Sequence, residues 1–369
     1  MIGLRRILRG LVWSGVGLLV AVFLAGYAAP YLPPAHFWWT DLFAVLVPPL
    51  SVIVGLLGAG LLAHGSYRRR WGRVAGGAVL CVLVVARFGT LPAAPAWGTA
   101  ESPGDALRLM TLNLPPAFAR GPEAERRLRT LVRREAPAVV ALQETWMRTE
   151  APEPSLEFAA WPLHTLRRDS VGYKLPPVRP LETSIYQPVL GRVPLDSISV
   201  HPLPPSGDAR ARSRYTRTHF TWQGRAAVLY NVHLHTVGTR PQELLSGEQS
   251  LGRWRAFLRT YRDGALHRAE QARRIRQRVK QETRPVLVVG DFNSTPHQWA
   301  YQHMARGLRP AGGGATFPAW RPVVQIDHIL VGPAWRIDGA HVSSFGTGPA
   351  ISDHRPLVAQ LRWTGGYEE

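Results

Sequence analysis

The stretch Pro285-Val286-Leu287-Val288-Val289-Gly290-Asp291-Phe292-Asn293-Ser294-Thr295-Pro296 decides how this chain is read. Four apolar β-formers in a row predict a buried strand, and Gly290 punctuates its end. An extended backbone would then place Asp291 and Asn293, two residues apart, on the same side. A carboxylate beside an amide suits polar chemistry: one orients or deprotonates water, and the other holds an oxyanion. The alternative is a plain Asx-type turn after the strand, since Asp, Asn, Ser and Pro all favour turns. The stretch alone leaves both readings open.

The same pattern recurs on either side of it. Leu107 to Leu112 predicts a strand that ends in Asn113. A helix over 122–135 follows, with Leu128, Leu131 and Val132 at helical spacing and Pro137 marking its end. Ala138-Val139-Val140-Ala141-Leu142 predicts a buried strand running into Gln143-Glu144-Thr145. Two β-like pieces, 184–190 and 193–200, flank Gly191-Arg192. An arginine-rich exposed stretch (Arg210, Arg212, Arg214, Arg217) precedes a hairpin of 215–222 and 226–234 about Gln223-Gly224. Its second strand ends Asn231-Val232-His233. A long basic amphipathic helix spans 249–282, read as a surface helix covering a sheet in preference to a nucleic-acid-binding helix. Val323-Val324-Gln325-Ile326-Asp327-His328-Ile329-Leu330-Val331 predicts another polar-bearing strand. Ser352-Asp353-His354-Arg355-Pro356 leads into the last one, 357–363.

Each motif alone is weak or moderate, but six of them in this order over some 250 residues form a specific constellation. The chain resembles the endonuclease/exonuclease/phosphatase (DNase I-like) superfamily, over about residues 106–364. The resemblance implies a four-layer α/β sandwich, two packed mixed β-sheets flanked by helices, with the site at one sheet edge. It implies Glu144 as a metal ligand, with Asn113 and Asp353 completing the metal and phosphate shell. Asp291 is implied to position and deprotonate the attacking water, and Asn293 and His233 to contact phosphate. His354, oriented by Asp327, would lie on the scissile phosphate. This oxygen-rich, cysteine-free set suits Mg²⁺ or Mn²⁺ over structural zinc. Two departures bear on the subfamily. Pro137-Ala138 stands where many relatives have Pro-Asp, and Ser294-Thr295-Pro296-His297 replaces the Val-Ala-His run of abasic-site endonucleases, which argues against DNA repair.

The 369 residues carry a net charge of +19, nearly all of the positive side arginine, and 46% of them are hydrophobic. That balance points to an anionic partner: phosphate groups, nucleic acid or lipid headgroups. The single cysteine, Cys81, excludes a disulfide framework and a thiolate metal site. Residues 1–95 hold eight arginines and one acidic residue, so +7 lies there and +12 in the remainder. Uncharged runs over 11–29 and 42–63, and a shorter one extended to 74–91, predict three transmembrane helices, the second kinked at Pro48-Pro49. The resulting division is a membrane anchor (1–92), a small-residue, proline-rich linker (93–105) and a catalytic domain (106–364). A cleaved signal peptide is the alternative for the first run, and the later runs argue against it. Arg5, Arg6 and Arg9 precede the first run, and Arg68, Arg69, Arg70 and Arg73 lie between the second and third. By the positive-inside rule three spans place the catalytic domain outside the cytoplasm.

An integral membrane, divalent-metal-dependent phosphodiesterase acting on nucleic acid or a phospholipid headgroup is therefore expected. A non-catalytic polyanion-binding module and a phosphomonoesterase on soluble phosphates are the alternatives. Oligomeric state is not legible in the sequence.

Overall fold

A computed structural model describes residues 2–89, 106–115, 121–145, 147–148, 161–167, 171–177, 184–185, 187–204, 214–236, 250–346 and 350–364. The expected linker, 93–105, and Arg210 and Arg212 lie outside the described residues. The chain divides into two compact units. One comprises Met1–Pro92, Thr239–Leu266 and His297–Gln302, and the other Ala93–Gly238, His267–Pro296 and His303–Glu369.

The first unit is built on helices α1 (Ile2–Ala28), α2 (Pro34–Ala44), α3 (Val47–Tyr67) and α4 (Trp71–Gly89). Three helices, Arg6–Tyr31, Val47–Tyr67 and Trp71–Phe88, are long and apolar enough to cross a membrane. The kinked second span is corrected. Residues 42–44 close α2, and Pro48 and Pro49 fall in the first turn of α3, where a missing N–H costs no helical bond. Glycines let α3 and α4 approach closely: a Cβ on Gly77 would lie 2.6 Å from the Gly58 carbonyl oxygen.

Polar side chains gather where α1 ends and α3 begins. The Arg87 Nε donates to His297 Nδ1 at 3.0 Å, and its guanidinium lies over the Tyr27 ring at 5.3 Å. Asp41, buried, accepts from the Trp299 backbone N–H and from Gln298 Nε2, both at 3.1 Å. It thereby caps the helix Trp299–Ala305 from a distant part of the chain. Nothing in the linear pattern announces that pairing.

The second unit carries β1 (Ala106–Asn113), β2 (Val139–Gln143), β3 (Met147–Arg148), β4 (Ser184–Ile185), β5 (Val189–Gly191), β6 (Leu195–Pro202), β7 (Arg214–Trp222), β8 (Arg225–His233), β9 (Val286–Asp291), β10 (Arg309–Pro310), β11 (Asp327–Val331), β12 (Trp335–Val342) and β13 (Leu357–Trp363). One sheet runs β12-β13-β1-β2-β5 and the other β10-β11-β9-β8-β7-β6, with β3 and β4 paired apart. Each large sheet is antiparallel except at one pair, β1/β2 in the first and β8/β9 in the second. Both are therefore mixed. A shared core draws Leu109, Val140 and Leu142 from one sheet and Phe220, Leu229 and Leu287 from the other. Helix α5 (Pro122–Glu135) buries Ala124, Leu128, Leu131 and Val132 in the same core. This is the expected four-layer sandwich.

Gln223 and Gly224, at φ 50° and 75°, supply the two left-handed residues of the β7/β8 turn. Strand β11 starts at Asp327, not at Val323 as expected. The preceding residues form only an isolated bridge, Val324 with Phe317. Strand β12 was not anticipated.

Candidate active site

Register sets the first row of the site. His233 pairs with Asp291 across the parallel β8/β9 ladder, and Asp291 with Asp327 across the antiparallel β9/β11 ladder. Paired residues share a sheet face, so three candidate side chains line one edge on adjacent strands, roughly 4.8 Å apart. The other sheet brings Asn113, opposite Gln143 in the β1/β2 ladder, with Glu144 one residue beyond. Glu144 leaves its strand at φ 53°, which turns its side chain away from the strand's alternation.

The sheets meet at Asn113. Its Nδ2 donates to Asp291 Oδ2 at 3.0 Å and to Glu144 Oε1 at 3.2 Å. His233 Nε2 lies 3.5 Å from Asp291 Oδ2 and 3.9 Å from Glu144 Oε1. His354 Nε2 lies 3.9 Å from the same Asp291 oxygen, while its Nδ1 is hydrogen-bonded to Asp327 Oδ2 at 2.9 Å. Burial alone would push the His354 imidazole down. The carboxylates of Asp327 and Asp291, the Asp327 hydrogen bond and the charge of Asp353 outweigh it and push the group up to about 10. His354 is thus an imidazolium at neutral pH, with Nε2–H turned towards the Asp291 side.

Asn293 departs from the extended geometry that would set it beside Asp291. At φ 45° it folds back, so that its N–H donates to Asp291 Oδ1 at 2.8 Å. Its Nδ2 donates to the Leu234 carbonyl at 2.9 Å and lies 3.4 Å from Asp291 Oδ2. The Asx-type turn is present, and it holds the Asp291 carboxylate.

Other supports were outside the expected set. Ser352 Oγ donates to the Asn113 carbonyl at 2.6 Å and accepts from the His354 N–H at 2.9 Å, tying the two sides together. Thr316 Oγ1 accepts from the Asp327 N–H at 3.3 Å, and the Phe317 ring packs 5.1 Å from His354. Beneath the site, Gln143 Nε2 donates to Asn231 Oδ1 at 2.6 Å across the sheets, and Asn231 Nδ2 to the Leu142 carbonyl at 2.8 Å. Gln143 and Asn231, visible in their motifs, are scaffold. Ser352 sits in its motif as well, whereas Thr316 lies in a glycine-rich loop without a pattern.

The donor set fits a hard divalent cation. Glu144, Asp291 and Asp327 bring carboxyl oxygens to this edge, and Asn113 Oδ1 is buried without a hydrogen-bond partner among the described residues. Asp291, Asp327 and His354 each offer a ligand atom within 4.8 Å of the others. That compact trio differs from the expected ligands, and the protonated His354 ring, already donating to Asp327, makes a poor metal ligand. Of the expected ligands, Glu144 is more than a third exposed on its side chain and accepts from the Asn113 amide.

An α/β sandwich of two mixed sheets with carboxylates, amides and imidazoles at one edge defines the class of fold. The chain belongs to the endonuclease/exonuclease/phosphatase family, whose model matches residues 97–354. The chain is also similar to solved structures. An endonuclease/exonuclease/phosphatase from Beutenbergia cavernae is 24% identical, covering 70% of this chain and 72% of that one, with a TM-score of 0.49. A humanized D. rerio TDP2 is 17% identical over 70% and 99%, TM-score 0.48. Sphingomyelinase C from Streptomyces griseocarneus is 17% identical over 69% and 99%, TM-score 0.44. Among curated proteins no match was found.

Proposed function

We propose that this protein is a membrane-anchored, divalent-metal-dependent phosphodiesterase whose catalytic domain faces out of the cytoplasm. The observation that carries the reading is the convergence of Asn113, His233 and His354 on Asp291 Oδ2, with Glu144 held by the same Asn113 amide. A phosphodiester is an anion that repels hydroxide, so its charge must be met before water can attack. A cation held by Glu144, Asn113 and Asp353 would supply Lewis acidity towards the phosphate and the leaving oxygen. Asp291, its Oδ1 fixed by the Asn293 N–H, presents Oδ2 to orient a water in line and take its proton. His354, kept cationic by Asp327, gives a charge-assisted hydrogen bond to a phosphate oxygen. His233 and Asn293 flank the same oxygen and limit where a phosphate can settle.

The test uses the full chain with Mg²⁺, assayed on plasmid DNA, RNA and sphingomyelin vesicles. Hydrolysis of one of these, abolished by chelation and by Asp291→Ala, is expected. Failure to cleave any phosphodiester, with no Mg²⁺ binding by calorimetry, would establish the binding-module alternative. Activity confined to inositol phosphates or nucleotides would establish a phosphomonoesterase. A reporter fused after residue 100 checks the topology; activity in the cytoplasm overturns the outward orientation.

A further inference from the structure

The long helix Leu251–Lys280 contributes its first half to the same compact unit as the apolar helices. Its later turns are ordinary for a helix against a domain: Ala269, Ala272, Ile275 and Val279 are buried. The first turns are not. Leu251, Trp254 and Leu258 are 67%, 40% and 38% exposed. At about 100° per residue these three fall within roughly 60° of arc, and Arg255, Arg259 and Arg262 occupy about the next 60°. All three arginines are exposed. Tyr261, on the other flank of the apolar stripe, is buried, and the stripe itself becomes buried further along the helix, at Ala265.

The position of this half-helix within its unit says what would cover the stripe. Gln298 Nε2 donates to the Tyr261 hydroxyl at 3.2 Å and to the Asp41 carboxylate at 3.1 Å. Asp41 lies on α2, between the end of the first apolar helix and the start of the second. The helix is thereby tied to the mouth of the bundle, the level at which a bilayer's headgroups would lie. An apolar stripe bordered by arginines suits that layer: leucine and tryptophan reach the acyl boundary while guanidinium groups meet lipid phosphates.

We infer that residues 251–262 form an in-plane amphipathic helix seated on an anionic lipid surface, a second membrane contact besides the spans. This rests on the reading that the apolar helices cross the bilayer. Each arginine near such a surface contributes about fivefold to the attraction.

The full chain in a Cys81→Ser background, reconstituted into vesicles of equal phosphatidylglycerol and phosphatidylcholine, provides the test. A polarity-sensitive thiol label is placed at Trp254→Cys, at Ala256→Cys on the opposite flank, or at Leu56→Cys within α3. Emission at 254 is expected to shift to the blue and to be quenched by a spin-labelled lipid, with 256 remaining water-like. The 254 shift should shrink in pure phosphatidylcholine. A water-like 254 beside a lipid-quenched 56 overturns this inference and leaves the spans standing. A water-like label at both positions overturns the spans and this contact with them. Equal shifts in the two vesicle types overturn the anionic partner.

Discussion

Asp327 decides the charge of His354, and that pair sets a pH dependence. The folded imidazolium persists to about 10, well above the ordinary 6.5, so its contribution is complete below neutrality and is lost as pH rises through about 10. Asp327→Asn removes the strongest of the influences that raise it and moves that loss down towards neutral pH. The pH–rate profile of Asp327→Asn is expected to fall between about pH 6 and pH 9, where the wild type holds its histidine limb. The overall drop at neutral pH is expected to be roughly 10²–10³-fold. A uniform loss with no change in the profile would show that Asp327 only positions the ring. At this scale the sequence was informative about identity and poor about posture. Asp291, Asp327 and His354 were legible as candidates because each stands beside an apolar run. The left-handed turn that brings the Asn293 N–H onto Asp291 was open, since local preference fits an extended pair and a turn equally.

Strand register turns these scattered residues into a site, and Gly290 is where the register is tightest. At φ 130°, a Cβ there would lie 2.0 Å from the Val232 carbonyl oxygen, inside the β8/β9 pair that sets His233 opposite Asp291. Gly290→Ala is expected to destabilise the protein by about 2–4 kcal/mol in a denaturation titration, through overpacking and backbone strain. Its activity should fall by more than the unfolded fraction explains; full activity in the folded fraction would show that the ladder tolerates a shift. Gln143 tests the support beneath. Gln143→Ala leaves the buried Asn231 and Thr111 side chains short of a partner, expected to cost about 1–3 kcal/mol, with hydrolysis less affected than by Asp291→Ala. Most strands were legible, because buried apolar runs bounded by Gly, Pro and polar residues carry that signal locally. The bridge from Gln143 to Asn231 was not, because its ends lie on different sheets and no linear spacing encodes which sheets face each other. The prolines at 48 and 49 misled for a related reason: proline marks a kink or a helix start alike, and only the end of α2 at Ala44 separates the two.

For the molecule as a whole, the +19 charge is divided between +7 in residues 1–95 and +12 in the rest. Under the proposed topology the first share faces the cytoplasmic leaflet and only the second meets a substrate. Twelve excess positive charges draw a polyanion from a distance but give a zwitterionic headgroup little long-range attraction, and salt screens the former within a Debye length of about 8–10 Å. Substrate class is therefore readable from ionic strength without a co-structure. If nucleic acid is the substrate, apparent affinity should fall steeply as salt rises, with a log–log slope near −0.9 for each phosphate contacted on duplex DNA. If a zwitterionic phospholipid is cleaved, KM should stay nearly flat over the same range, because the arginines then serve to hold the enzyme on the surface. Measuring KM for DNA and for sphingomyelin vesicles from about 50 to 200 mM salt separates the two. A flat response with DNA as the better substrate would contradict the role assigned to the basic surface and would locate recognition in the buried site alone.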